Sequence, residues 1–262
     1  MARLKKAPVC FTLAQMRFNP VLDVSEILPS LQDAFRKSGY PDYQSSTAHN
    51  IEIRQGGAGA GFQLNPVPVV QHVFRNKGQT AAIVLDAAAM SYELTDYPDS
   101  EEFSANFLQA LDIVHAHRSI EYCDRLGMRM LDAVQPMNNE ALDKYVTPQA
   151  LGLIGLIDSA FEHQQSSIES LFKRGSYTLM VRALRVPKGV SVPADLGTLR
   201  LKIDQRFLDH QGETIMLDCD SSRSERVDFD LGSTFDDLAR LNADLSNCFK
   251  ALVTPYAFKV WE

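Results

Sequence analysis

The sequence predicts an α+β protein built from two related halves, each running strand, helix, further strands and closing helix. Period-two alternation over residues 121–134, typical of a half-buried strand, places one strand near the middle of the chain. Its core, Met-Arg-Met at 128–130, echoes Met-Arg-Phe at 16–18. We therefore expect a pseudo-duplicated fold over residues 1–118 and 119–262, with curved antiparallel sheets covered on one face by long amphipathic helices. A single continuous domain, with one sheet wrapping the helices, is the alternative.

The N-terminal half shows clear helix boundary signals. Asp23 and Glu26 form a capping box, and Gly39 ends the helix that follows them. Asp99 is the expected cap of a second helix, which closes this half near Arg118. Between the two helices, the expected strands occupy residues 49–54, 69–76 and 80–97, after a first strand at residues 9–19.

A glycine-rich segment, residues 56–61, follows the expected strand at residues 49–54. Its spacing matches neither the dinucleotide-binding fingerprint nor the P-loop, and the residues after it are extended and proline-containing. No helix N-terminus therefore awaits a phosphate, and we interpret the segment as a surface loop.

The C-terminal half repeats the order of elements more loosely. Thr147 and Pro148 are typical of the cap and first residue of a short helix, and Thr254 with Pro255 repeats this pair near the C-terminus. A long helix is expected to begin at Ser233. The expected strands occupy residues 121–134, 159–173, 177–186, 199–208, 213–220 and 225–230, with a loop at 187–198. Strands 159–173 and 177–186 are expected to turn at residues 174–176, and 199–208 with 213–220 form another hairpin candidate.

The central strand carries a pair of arginines that could bind an anion. Arg125 and Arg129 share one face of the strand, roughly 13 Å apart, because side chains repeat with period two. Gly127 lies between them and leaves room for a ligand or another backbone, while Arg17 occupies the echoing segment near the N-terminus. The arginines could grip an anionic ligand or a partner's carboxylates. The alternative is that they pair with the protein's own acids.

Four acids form a candidate metal site. Asp218 and Asp220 lie on one expected strand, and Asp228 and Asp230 lie on the next. If these strands pair across residues 221–224, the four carboxylates could converge on Mg²⁺ or Ca²⁺. The alternative is an acidic solvent face that alternates with apolar residues, and no other cofactor is predicted.

Charge and composition limit the classes of molecule that the protein is expected to bind. The chain has a net charge of −7 and ordinary globular composition. Residues 209–244 hold ten acids against three bases, which accounts for the whole excess. This argues against direct nucleic-acid binding and favours a protein partner, which could be basic. No apolar run reaches membrane-spanning length, and four scattered cysteines fit reduced thiols in a cytoplasmic protein.

An aromatic cluster, Tyr256, Phe258 and Trp261, ends the chain. Such a tail usually docks on the body of its own protein. It could instead form an interface with a neighbouring subunit, so a homo-oligomer is compatible with the sequence.

Three segments, FTLAQMRFNPVL, RLGMRMLDAV and FKALVTPYAFKVW, resemble those of an uncharacterised, sporadically distributed bacterial protein family of about this length. The resemblance spans the whole chain, including both ends. It implies a bacterial, cytoplasmic origin and no particular activity. A patchy distribution suits accessory functions such as defence or toxin control, which is an analogy.

Three functions follow from these observations. Because the common catalytic motifs are missing, the first is a non-enzymatic interaction or binding subunit of a bacterial accessory system. The second is a metal-dependent hydrolase or nuclease that uses the four aspartates, with Arg125 and Arg129 steadying a phosphate. The third is a carrier that holds a small apolar or anionic ligand between sheet and helix, anchored by one of these arginines.

Overall fold

The computed structural model describes residues 6–21, 24–55, 62–137, 140–153, 163–197 and 199–262. These residues form one ten-stranded antiparallel sheet and six α-helices, so the predicted α+β class is confirmed. The glycine-rich segment 56–61 and the capping-box residue Asp23 lie outside the described residues.

The N-terminal half begins with a strand and a helix, as expected, and then differs in its strands. The second strand starts at residue 42 instead of 49. The expected arm at residues 80–97 is two strands, because the Ala88 N–H donates to the Asp86 carboxylate at 2.8 Å in a tight turn. The elements are β1 Val9–Phe18, α1 Val24–Lys37, β2 Asp42–Gln55, β3 Phe62–Arg75, β4 Ala81–Leu85, β5 Ala89–Leu94 and α2 Ser100–His117.

The C-terminal half contains the central strand and the two closing helices. Its elements are β6 Tyr122–Val134, α3 Pro148–Leu151, β7 Ser166–Arg174, β8 Tyr177–Val186, α4 Gln205–Leu208, β9 Thr214–Arg223, β10 Val227–Asp228, α5 Leu231–Leu252 and α6 Pro255–Trp261. Asp99 caps α2 and Thr254 caps α6, as the sequence predicts. No helix in the described ranges is long and apolar enough to cross a membrane.

The sheet runs without interruption through both halves. Its strand order is β2-β3-β4-β5-β1-β6-β9-β8-β7, and β10 pairs with β6. The first strands of the two halves, β1 and β6, pair at the centre, where Thr12 lies opposite Met130. A register shift after Arg17 marks an irregularity near the start of β6, and Cys123 joins the helix-side core there instead of sharing a face with Arg125.

One face of the sheet is covered by helices α1, α2 and α5. Their buried side chains form a single cluster with strand residues such as Met16 and Met128. The helical members include Leu31 and Phe35 of α1, Phe103 and Phe107 of α2, and Leu238, Leu241 and Leu245 of α5. A second cluster on this face gathers around α6 and contains Trp261.

The opposite face is covered by residues 190–197 and 199–207, which lie outside the sheet. Leu201 and Phe207 of this segment are buried against Phe11 and Leu131 of the sheet. The predicted hairpin of 199–208 with 213–220 is therefore wrong, because β9 pairs with β6 and β8 on its two sides. The alternating leucines of this segment are buried by packing on a face of the sheet. This burial removes apolar surface from water, as a place within the sheet would also do, so the alternation alone does not distinguish the two arrangements.

Candidate ligand pocket on the helix face

Arg129 is engaged by the protein's own acids on the sheet face opposite the helices. Its Nε donates to Asp218 at 2.7 Å, and its Nη1 donates to Asp195 at 2.5 Å. The residue is only 3% exposed, and Arg182 donates to Asp218 at 3.2 Å. The hydrogen bond from Arg129 lowers the pKa of the Asp195 carboxyl. The donors of Arg129 are thus used within the chain, which is the alternative that the sequence left open.

Arg125 lies over Gly127 on the same face. A Cβ at Gly127 would lie 2.7 Å from Nη1 of Arg125, so the bare backbone accommodates the chain's own guanidinium. Nη2 of Arg125 lies 3.5 Å from Asp220. Arg17 is exposed and sits directly opposite Arg125 in the pairing of β1 with β6. Arg125, Gly127 and Arg129 line a cleft of about 220 Å³ in which two acids balance the two arginines.

The four aspartates do not converge. Asp218 and Asp220 lie on β9 against arginines, whereas Asp228 is exposed on β10, which pairs with β6 and not with β9. The Asp230 carboxylate accepts the Ser233 N–H at 2.7 Å and caps α5. The predicted strand pairing across residues 221–224 is therefore wrong. No group of three or more metal-ligating side chains occurs in the described part of the chain.

The aromatic tail is docked on its own molecule. Trp261 is 4% exposed and packs on Phe249 and Tyr145 at ring distances of 5.9 and 6.3 Å. The Tyr256 hydroxyl donates to Glu140 at 2.8 Å, although its ring is exposed. Phe258 is half-buried against the same cluster. The interface predicted for this tail is thus corrected for Trp261, whose surface is covered by intramolecular packing.

A cavity of about 490 Å³ opens on the helix face, between the sheet and helices α5 and α6. It lies where the two apolar clusters of this face meet, because α5 contributes Leu245 to one cluster and Phe249 to the other. Met130 forms part of its floor, and the segments at residues 7–9 and 97–100 close the remaining sides. Its volume falls in the range of roughly 300–1,000 Å³ that is common for small-molecule sites.

Asp132 lies in this cavity and is the unusual member of its lining. The residue is 6% exposed, and its carboxyl has no hydrogen bond or ion pair with any described residue. Burial raises the pKa of Asp132 to about 7. Buried carboxylates are normally paired, so an unpaired one at the wall of a cavity indicates a functional site.

The strand pattern explains how an acid reaches this position. Leu126, Met128, Met130, Asp132 and Val134 lie on one face of β6 by period-two alternation, and this face is turned toward the helices. Asp132 is the one acid on that stretch of the face. An acid at an apolar position of the alternating pattern is a signal that the sequence itself contains. The arginine pair on the opposite face is the more conspicuous pattern and therefore stands out first as a candidate site.

The charged groups at the mouth of the cavity have opposite signs. Asp99 is exposed and accepts the Glu102 N–H at 2.8 Å as the cap of α2. Lys250 of α5 is also exposed and lines the cavity. Asp132 is therefore the buried ionisable group of the lining.

A larger cleft of about 930 Å³ lies beside this cavity and shares Tyr97 with it. Its charged residues are exposed lysines, arginine and aspartates, and Arg206 already donates to the Ala7 carbonyl at 2.6 Å. This cleft lacks a buried unpartnered polar group in the described residues, so it carries a weaker case for a ligand site.

All four cysteines are free, and three are buried. Cys219 lines the cavity, and its sulfur lies 3.4 Å from the Cys248 sulfur on α5. Hydrogen bonding with Cys219 lowers the pKa of the Cys248 thiol.

Comparison with known proteins does not change this assignment of the site. No protein-family model matches the chain, and no curated protein matches it. Function is therefore inferred from the cavity and from the chemistry of Asp132.

Proposed function

We propose that the protein is a small-molecule-binding protein whose ligand occupies the cavity between the sheet and helices α5 and α6. This corresponds to the third function drawn from the sequence, with Asp132 replacing the arginines as the polar anchor. The observation that carries the proposal is a buried carboxyl without a partner at the wall of an apolar cavity of ligand size.

Energetics support this choice of site. Ionising a buried carboxyl without a partner costs several kcal/mol, as an order of magnitude, and a neutral or apolar residue would avoid that cost. Departures of this kind from the rules of stable packing concentrate at functional sites. On the opposite face, by contrast, Asp195 and Asp218 are both paired with Arg129.

The apolar fluorophore N-phenyl-1-naphthylamine tests the cavity directly. We expect saturable binding to the wild type, because the lining offers Met130, Leu245 and Phe249 to an aromatic body. Ser246→Trp should fill the cavity and abolish binding, since Ser246 lines it. Asn247→Trp is the matched control on the exposed side of α5 and should bind as the wild type does.

Folding of both variants is checked by their melting temperatures. Equal binding by Ser246→Trp and the wild type would place the probe elsewhere and remove the support for this cavity. Failure of the wild type to bind the probe at all would count against a small-molecule function.

A second candidate function is the interaction subunit of a bacterial accessory complex, acting in the cytoplasm. The observation that favours it is the strand β7, which pairs on one side only among the described strands and whose Leu171 and Phe172 are 70% and 57% exposed. An open edge with exposed apolar side chains can accept a strand from another protein. The exposed acids Glu225, Asp228 and Asp236 would favour a basic partner.

The tagged protein, purified gently from its own host, tests this second candidate. We expect a stoichiometric partner to remain with the wild type and to be lost from Leu171→Lys, which charges the edge. Lys173→Ala is the control on the same strand. Retention of the partner by Leu171→Lys would exclude β7 as the contact.

The two halves are proposed to derive from a duplication. In each half, the first strand pairs with the last strand of an antiparallel meander, β1 with β5 and β6 with β9. This shared winding order supports the proposal, as does the repeated Met-Arg segment in β1 and β6.

A further inference from the structure

The charge balance inside the cavity restricts its ligand. Among the described residues that line it, Asp99 and Asp132 are the acids and Lys250 is the base. Asp99 and Lys250 are exposed at the mouth, whereas Asp132 is buried. The interior therefore offers one carboxyl to the ligand and no compensating positive charge.

Aromatic rings surround the same space. Tyr97, Phe249 and Phe258 line the cavity, and they come from the loop before α2, from α5 and from α6. Ring faces attract cations and also pack against apolar bodies. An anionic ligand would meet both a carboxyl and electron-rich rings, and this combination disfavours it.

We infer that the ligand is an organic cation, in which a protonated amine attached to an apolar body pairs with the Asp132 carboxylate. This inference rests on the proposed function and specifies its ligand class. The ammonium group supplies the missing partner of Asp132, and the apolar body covers Met130, Leu245 and the rings.

A neutral hydrogen-bond acceptor is the competing ligand, since a protonated Asp132 could donate to it. The two ligands differ in their pH dependence. An ammonium group binds the ionised carboxylate and gains affinity as the pH rises through the pKa of Asp132, whereas a neutral acceptor binds the protonated form and loses affinity.

Other titratable groups near Asp132 have to be separated from it. They are Cys10 of β1, Tyr97 and Asp99 before α2, Cys219 of β9, and Cys248 and Lys250 of α5. Burial raises the pKa of Cys10 to about 12 and raises that of Tyr97 further. The hydrogen bond with Cys248, together with burial, raises the pKa of Cys219. Cys10, Tyr97 and Cys219 therefore stay neutral below pH 8. Variants at the other positions can then distinguish the titration of Asp132 from that of its neighbours.

Three isosteric probes separate the ligand classes: 1-naphthylmethylamine, 1-naphthalenemethanol and 1-naphthoic acid. Each is titrated calorimetrically into the full-length protein at pH 8 and at pH 5.5. We expect the amine to bind at least tenfold more tightly than the alcohol at pH 8. Its affinity should fall about 30-fold at pH 5.5, because a carboxyl with a pKa about 1.5 units higher is then about 3% ionised.

Asp132→Asn identifies the group responsible. This variant should bind the amine and the alcohol equally, and the pH dependence of amine binding should vanish. Asp99→Asn and Cys248→Ser are the matched controls and should keep both the preference and its pH dependence. If Asp132→Asn does not fold, the pH series of the wild type decides the question by itself.

The outcomes distinguish this inference from the proposed function. Equal binding of the amine and the alcohol, or tighter binding of the acid, would overturn the cationic ligand and leave the small-molecule site intact. Alcohol binding that strengthens as the pH falls would identify the neutral acceptor instead. Failure of all three probes to bind would count against the cavity itself and so against both proposals.

Discussion

At the scale of single residues, the structure separates two acids that look alike in the sequence. Asp218 is buried and accepts hydrogen bonds from Arg129 and Arg182. Asp132 is equally buried and has no partner in the described chain. The first carboxylate is stabilised by its neighbours, whereas the second is buried without a compensating charge, and the proposed ligand site rests on that difference.

Replacement of Asp132 by asparagine should stabilise the protein at high pH. Burial raises the pKa of this carboxyl from 3.8 to about 7, so the folded state binds the proton more tightly than the unfolded state does. The free energy of unfolding of the wild type should therefore fall as the pH rises from about 4 to about 7. We expect Asp132→Asn to gain roughly 1–4 kcal/mol at pH 8 and less at pH 5.

Urea unfolding at both pH values measures this gain. Asp228→Asn removes an exposed acid and should keep the pH dependence of the wild type. An Asp132→Asn variant that is less stable than the wild type at pH 8 would show that the carboxyl has a stabilising partner.

Removal of Arg129 should destabilise the protein strongly, because Asp218 would be left buried without its main partner. We expect Arg129→Met to lower the free energy of unfolding by about 3–5 kcal/mol. Arg125→Met should cost about 1 kcal/mol or less, since the contact of Arg125 with Asp220 is longer and more exposed. Urea unfolding of the two variants measures the difference, and equal losses would contradict the buried ion pair.

At the scale of elements, β10 and α5 show how a short polar segment is used. β10 continues the sheet for two residues beside β6, and the chain then turns into α5 at Asp230. An aspartate at this position serves as a helix cap, since its carboxylate accepts a backbone N–H of the first turn. The two aspartates that suggested a metal site therefore have different roles, since Asp228 lies on a strand and Asp230 caps a helix.

Removal of this cap tests the role of Asp230. We expect Asp230→Ala to lower the free energy of unfolding by about 1 kcal/mol, because an N–H at the start of α5 loses its acceptor. Asp228→Ala should change it by less than about 0.5 kcal/mol, since that side chain is exposed. Chemical denaturation with and without Mg²⁺ measures both, and a loss that depends on Mg²⁺ would argue for a metal site.

At the scale of the whole molecule, one sheet joins the two halves and the terminal helix completes the helix face. The pairing of β1 with β6 carries the sheet across residue 118. Helix α6 then returns to this face, where Trp261 packs on Phe249 and Phe258 closes one side of the cavity. The C-terminus is therefore part of the folded core.

Truncation of Trp261 is expected to lower the stability of the fold and to leave the oligomeric state unchanged. We expect Trp261→Ala to lower the free energy of unfolding by about 3–5 kcal/mol, because it leaves a large hole in a packed cluster. Tyr256→Ala should cost less, since its ring is exposed. Denaturation and light scattering together measure stability and mass, and a change in mass without a loss of stability would favour the interface role.

Local sequence patterns predict the α+β class, the central strand, the caps of α2 and α6, and the turn between β7 and β8, all of which the structure contains. These features depend on side chains within a few residues of one another, through alternation, capping and turn geometry. Long-range packing sets three features that these patterns do not predict. Strand β10 pairs with β6, residues 190–197 and 199–207 cover a sheet face, and Asp132 lies in a cavity without a partner among the described residues. Each of these features depends on contacts between residues that are distant in the sequence. The same local pattern of apolar and polar residues can be buried in several tertiary arrangements of similar stability, so the pattern alone does not select one of them.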